Sequence, residues 1–109
     1  MQVHVNDTGT RLVNNEGEVA VLVAPGFGAG WYTWNRDKVD PFDPQLAQFV
    51  FDGKMREAKE YAEQKWPDAY HGGLNDLIVW WVPAGAAFRI EEYDGSESLT
   101  LSYEDWLTA

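Results

Sequence analysis

The chain contains no cysteine, few basic side chains and no long apolar run. Without cysteine there is no disulfide framework, no thiol nucleophile and no thiolate metal site. Only 8 basic residues stand against 18 acidic ones, and the net charge of −10 opposes binding to nucleic acid and to anionic membranes. No apolar segment approaches the roughly 20 residues that span a bilayer. We therefore expect neither nucleic acid nor a membrane among the direct partners.

The N-terminal segment, MQVHVNDTGT, contains neither a basic region nor an apolar stretch. It therefore lacks the pattern of a secretory signal peptide. Together with the absence of cysteine, this predicts a cytoplasmic protein.

Aromatic side chains, in contrast, are abundant. The 109 residues include six Trp, five Tyr and five Phe, and 45% of the residues are hydrophobic. This length and composition predict one domain, spanning residues 1–109, with a packed core. A domain of this size cannot easily bury all of its aromatic rings, and exposed clusters of such rings tend to mark binding sites.

The first two thirds of the chain predict strands followed by helices. Val3–Val5 alternates as a short edge strand, and Val19–Ala24 is a nearly continuous apolar run typical of a strand buried on both faces. Asp43 and Pro44 have the chemistry of an N-cap and a first helical residue. Strong helix formers then fill 54–65.

The last third predicts strands. Leu77–Val82 is apolar on both faces, Ala87–Tyr93 alternates, and DGSE is a hairpin signal before a strand with Leu99 and Leu101 inward. The order predicts a single α+β domain with N-terminal strands, two central helices and a C-terminal antiparallel three-stranded meander.

The stretch VLVAPGFGAGWYTWNRD places glycine at every second position after the buried strand. A phosphate-binding loop requires a helix directly after its glycines, and no helical pattern follows here. The glycine spacing also differs from the dinucleotide-binding and Walker patterns. The context therefore argues against phosphate binding.

An aromatic binding platform fits this stretch better. Glycines allow close approach, whereas Trp, Tyr and Arg are the types that dominate binding hot spots. The alternative is that Trp31 and Trp34 pack against the helices while the glycines only turn the chain. The candidate binding residues are Gly26, Gly28, Gly30, Trp31, Tyr32, Trp34 and Arg36.

A second candidate is the acidic stretch FRIEEYDGSES, in which Glu91, Glu92 and Asp94 form an acidic complement near the hairpin tip. Adjacent carboxylates can serve acid–base chemistry, but only in a pocket that separates their pKa values. His4 and His71 share no ligand spacing with a carboxylate pair. We therefore assign no catalytic residue, no metal site and no cofactor.

Three segments together, VNDTG, APGFGAGWYTWN and FRIEEYDGSES, resemble small acidic proteins encoded by tailed bacteriophages and prophages. The resemblance implies the cytoplasm of a bacterial host and a host-directed role. In such a role the chain would bind, and thereby block, a host protein with a basic or nucleic-acid-binding surface. The resemblance implies no reaction and no site residues.

The sequence thus favours a non-enzymatic acidic binding protein. One alternative is a protein that captures a small ligand, a nucleotide or a sugar, with the loop Gly26–Trp34. A second alternative is a small hydrolase that uses its carboxylates. The alternative interpretation of the acidity is that it only maintains solubility. A homodimer is a further hypothesis, because surplus apolar surface on a small domain often closes on itself.

Overall fold

The apolar run Val19–Ala24 supplies most of the most buried strand of an α+β fold. A computed structural model describes residues 2–101 and 107–109. Its strands are β1 (Val3–Val5), β2 (Leu12–Asn14), β3 (Glu18–Val23), β4 (Ile78–Pro83), β5 (Ala87–Tyr93), β6 (Ser96–Leu101) and β7 (Leu107–Thr108). Its helices are α1 (Pro44–Phe51) and α2 (Met55–Lys65), with a short 3-10 turn at Leu74–Asp76. The α+β class is therefore confirmed.

The first sheet is antiparallel, with strand order β1-β2-β3-β4. β3 pairs with β4 along its whole length, from Glu18 opposite Pro83 to Val23 opposite Ile78. The side chains of β3 are buried on both faces, as the continuous apolar run predicts. One face packs against the helices and the other against the second sheet.

The second sheet is the C-terminal three-stranded antiparallel sheet, with order β6-β5-β7. Its membership differs from the predicted meander, because β4 pairs with β3 and β7 takes its place. β4 is apolar on both faces, and beside β3 its Trp81 packs on the helix core while Val82 packs on the second sheet. This two-sided contact explains the placement.

The end of β6 also departs from expectation. Leu99 is buried, but Leu101 is 58% exposed. β6 meets the first sheet through its first residues, where the Glu97 N–H donates to the Ala24 carbonyl at 2.8 Å, and Leu101 lies at the far end of the strand. Residues 102 and 103, predicted to continue this strand, lie outside the described residues.

One buried carboxylate holds the two helices together. Asp43 is the N-cap of α1 and accepts from the Leu46 N–H at 2.9 Å, as predicted. The same carboxylate accepts from the Tyr61 hydroxyl at 3.1 Å and from Lys65 Nζ. Because both partners lie on α2, the cap of one helix also sets the position of the other. Within the described residues, neither helix is long and apolar enough to cross a membrane.

This cluster predicts a loss of stability in alkali. Burial raises the pKa of Tyr61 above its ordinary 10.0, and the hydrogen bond to Asp43 raises the pKa of Lys65 above its ordinary 10.5. Both groups hold their protons more tightly in the folded state, so their contribution is complete below about pH 10 and is lost as the pH rises through the folded pKa values. Urea unfolding at about pH 9 and about pH 11 measures the decline. In the Lys65→Met variant we expect a smaller decline, and an equal decline would contradict this assignment.

Candidate protein-binding site at the glycine loop

The glycine loop, residues 26–30, is held in place by a carboxylate from the second sheet. Glu97 is fully buried, although hairpin chemistry alone suggests an exposed tip residue. Its Oε1 accepts from the Ala24 N–H at 2.9 Å. Its Oε2 accepts from the Trp31 N–H at 2.9 Å, the Thr33 N–H at 2.8 Å and the Thr33 hydroxyl at 2.6 Å. The carboxylate therefore bridges both ends of the loop.

This arrangement decides what the loop can bind. A buried carboxylate needs several donors, and backbone N–H groups in a glycine-rich turn supply them. The amides of Trp31 and Thr33, which follow the glycines, donate to the Glu97 carboxylate. These two amides are therefore not available to an external phosphate group.

The tip of the β5–β6 hairpin lies directly against the glycine loop. The Gly28 N–H donates to the Asp94 carbonyl at 2.8 Å. Asp94 and Gly95 have φ values of 50° and 85°, as a two-residue hairpin turn of the primed type requires. A Cβ atom on Gly95 would lie 2.4 Å from the Ala29 nitrogen. The two stretches that the sequence singles out separately therefore contact each other.

The most exposed large hydrophobic side chains of the described residues lie on these two stretches. Phe27 of the loop is 75% exposed and Tyr93 of the hairpin is 79% exposed. The carboxylates of Glu91, Glu92 and Asp94 are exposed on the hairpin. Asp76 joins them from the 3-10 turn, since its Oδ2 would lie 2.4 Å from a Cβ on Gly26. We call the exposed residues of these contacting segments the loop–hairpin surface, namely Phe27, Asp76, Glu91, Glu92, Tyr93 and Asp94; Glu92 projects from the hairpin face opposite to that of Glu91 and Tyr93.

Trp31 is not part of any surface. It is fully buried, packs edge-on against Trp66 with ring centroids 5.7 Å apart, and its indole N–H donates to His71 Nδ1 at 3.2 Å. Gly30 beside it is buried too. This corrects the expectation that Trp31 contributes to a binding platform, and the alternative of core packing holds for it. Trp31 is buried because a small core between helices and a sheet needs large side chains to fill it.

The other aromatic candidates follow the glycine loop in the chain. Trp34 is exposed and stacks on Tyr70, with ring centroids 5.7 Å apart and an interplanar angle of 26°. The Arg36 guanidinium lies 5.3 Å from the centre of the half-buried Tyr32 ring. Tyr70 and His71 line an open cleft of about 450 Å³. Trp34 also lies against the glycine loop, since a Cβ on Gly30 would lie 3.0 Å from Trp34 Cδ1.

The hairpin carboxylates do not converge as an acid–base pair. Glu91 and Glu92 are consecutive on β5, so their side chains leave opposite faces of the sheet. Glu91 lies 4.0 Å from Arg89, whereas Glu92 accepts from the Gly95 N–H at 2.8 Å. Among residues 2–101 and 107–109, no group of three or more His, Cys, Asp or Glu side chains could hold a metal ion. Glu91 and Glu92 are therefore not placed to act together as an acid–base pair.

Several residues of the site were missed by sequence reasoning. Glu97 is the main omission, although the alternation that turns Leu99 inward also turns Glu97 inward. Phe27 and Tyr93 carry no motif, and Asp76 reaches the loop only through the tertiary fold.

Comparison of the chain with protein-family models, with curated proteins and with solved structures finds no match. The interpretation of this site therefore rests on its own residues.

The role of Glu97 is tested by its amide isostere. Glu97→Gln retains the shape but removes the charge and turns one acceptor into an NH₂ group that faces backbone donors. We expect the free energy of unfolding to fall by roughly 2–4 kcal/mol, since a buried hydrogen-bonded charge is lost. Urea unfolding measures this, with the exposed Glu91→Gln as the matched control, expected to change stability by less than about 0.5 kcal/mol. Equal effects would show that the buried contacts are unimportant.

The docking of the hairpin tip on the loop is tested by two glycines with similar φ. Gly95 has φ +85° and a blocked Cβ position, whereas Gly17 has φ +79° and no heavy atom within 4 Å of its Cβ position. Gly17→Ala should cost only the left-handed backbone strain, about 1 kcal/mol. Gly95→Ala should cost at least about 1 kcal/mol more, because the loop must move away. Identical losses in urea unfolding would mean that the loop does not pack on the hairpin.

Proposed function

We propose that this chain is a non-enzymatic binding protein whose loop–hairpin surface docks on a basic surface of a partner protein. The observation that carries the proposal is the position of Phe27 and Tyr93. Both side chains are largely exposed, and they lie on two segments joined by the Gly28–Asp94 hydrogen bond. Exposed rings among carboxylates fit a partner with apolar pockets bordered by Lys and Arg.

The two chemical components of the surface have separate roles. The carboxylates of Asp76, Glu91, Glu92 and Asp94 attract a basic partner and raise the rate of encounter. The rings of Phe27 and Tyr93 then provide the buried area that holds the complex, as hot-spot aromatics do. Since the buried Glu97 carboxylate holds the chain directly after the loop, the loop loses little conformational freedom on binding.

The proposed biological role is host-directed inhibition in a bacterial cytoplasm, which is the role that the resemblance to phage-encoded proteins implies. The net charge of −10 supports a target that normally binds a polyanion. Nucleic-acid-binding surfaces are rich in Lys and Arg that contact phosphates. A cluster of carboxylates on a rigid hairpin would compete for those same cations, so that binding of the chain would exclude nucleic acid from the target.

The test is affinity capture from a bacterial lysate with the tagged full chain, followed by mass spectrometry and titration of the captured protein. We expect a stoichiometric basic protein whose affinity falls steeply between about 0.05 and about 0.5 M salt. The triple variant Glu91→Gln, Glu92→Gln, Asp94→Asn keeps the side-chain shapes and should weaken binding at least about tenfold. A retained metabolite without a protein would instead favour ligand capture.

A matched variant separates a local site from a general charge effect. Asp7→Asn, Glu16→Gln, Glu60→Gln removes three exposed charges elsewhere and should weaken binding less than about twofold. Tyr93→Ala should weaken binding at least about tenfold while the free energy of unfolding changes by less than about 0.5 kcal/mol, because the ring is exposed. Equal losses in both triple variants, or full binding by Tyr93→Ala, would contradict the proposed site.

A further inference from the structure

The second unusual surface is the free edge of β4. Within the described residues β4 pairs with β3 alone, so its other edge is unpaired. The segment from Leu77 to Phe88 contains no charged residue, in a chain of which 24% is charged. Exposed edges invite pairing with another strand, and proteins usually protect them with charges, bulges, proline or short length. β4 has almost none of these protections.

The other described edge strands are protected. β1 and β7 are only three and two residues long. β6 is as long as β4 but carries Glu97 on its inward face, and inward-pointing charges are a known protection of edges. In β4 only Pro83, the last residue, resists pairing. The contrast singles out β4 as an edge suited to a partner strand.

The hydrogen-bond pattern identifies which main-chain groups are available. The Ala84 N–H donates to the Gly17 carbonyl at 3.1 Å, so the alternate residues Trp80 and Val82 direct their main-chain groups toward β3. The Leu22 N–H donates to the Pro41 carbonyl, away from its cross-strand neighbour on β4. The main-chain N–H and C=O groups that face the open edge of β4 are thus those of the residues between Ile78, Trp80 and Val82.

These intervening residues are Val79 and Trp81, which offer two N–H and two C=O groups in alternation with Trp80. Pro83 is the next residue whose main chain faces the open edge, so the N–H that it lacks would not have bonded to β3. The side chains of Ile78 and Trp80 are 42% and 36% exposed, on the face opposite to Val79 and Trp81. A strand added to this edge would therefore meet both free backbone groups and apolar side chains.

We propose that the occupant of this edge is a second copy of the chain, paired antiparallel across a twofold axis at Trp80. In this register Val79 lies opposite Trp81 of the second copy, and the two pairs exchange four N–H···O=C bonds. Trp80 lies opposite Trp80 of the second copy, at a closely spaced position where aromatic pairs stabilise a sheet. The two four-stranded sheets become one continuous sheet.

Charge and symmetry together select this occupant. Two copies that each carry −10 repel, and they can approach most closely where neither presents a charge, which is the case from Leu77 to Phe88. The free groups of Val79 and Trp81 flank Trp80 symmetrically, so the edge is complementary to itself, as a twofold interface requires. Neither Phe27 nor Tyr93 lies on β4, so this inference is independent of the proposed function.

The mass of the full chain in solution tests the inference. Sedimentation equilibrium from about 1 to about 300 µM should show a concentration-dependent rise toward twice the 12.4 kDa of the chain. Trp80→Lys places two like charges opposite each other and should raise the dissociation constant at least about tenfold. Leu101→Lys adds the same charge at an exposed apolar position of β6 and should leave it unchanged.

Amide hydrogen exchange gives the residue-level readout. The amides of Val79 and Trp81 should become protected as the concentration rises, whereas those of Trp80 and Val82, already bonded to β3, should be protected at every concentration. A chain that stays monomeric over the whole range would overturn the inference. So would a dimer in which the Val79 and Trp81 amides exchange freely or in which Trp80→Lys has no effect, because another surface would then be responsible.

Discussion

The rest of the structure depends on the burial of the Glu97 carboxylate. This group accepts hydrogen bonds from Ala24 at the end of β3 and from Trp31 and Thr33 beyond the glycine loop. It thereby connects the second sheet, the end of the first sheet and the segment that carries the largest side chain of the helix core. A buried charge is costly unless it is hydrogen-bonded, and three backbone N–H groups and the Thr33 hydroxyl donate to this one. These bonds restrain the chain on both sides of the loop.

The buried Glu97 carboxylate changes how the glycine loop is interpreted. A glycine-rich turn after a buried strand suggests a place for a phosphate, but here the glycines serve the chain's own packing. Gly95 allows the hairpin tip to touch Ala29, and Gly26 leaves room for Asp76. What reaches solvent is the other side of the loop, with Phe27 and the hairpin carboxylates. The edge of β4 is a separate feature, so the two association surfaces that we propose are one charged and one uncharged.

Much of the local structure could be predicted from the residues themselves. Asp43 and Pro44 begin α1, Asp94 and Gly95 form the hairpin turn, and the apolar run of β3 is buried on both faces. Each of these follows from a few neighbours in the chain. The exposure of Leu101 and the burial of Trp31 could not be predicted in the same way, because alternation and composition do not say where a neighbouring layer ends.

By itself, the sequence determined the α+β class, the helix start, the hairpin turn and the acidic, cysteine-free composition, since these depend on local sterics, hydrogen bonding and charge count. Only the tertiary structure decided that β4 joins β3, that Trp31 is core, and that the segments carrying Phe27 and Tyr93 contact each other. The physical reason is the long range of the contacts involved. Glu97 meets Ala24 and Trp31 across more than sixty positions of the chain, and no local pattern encodes such a pairing.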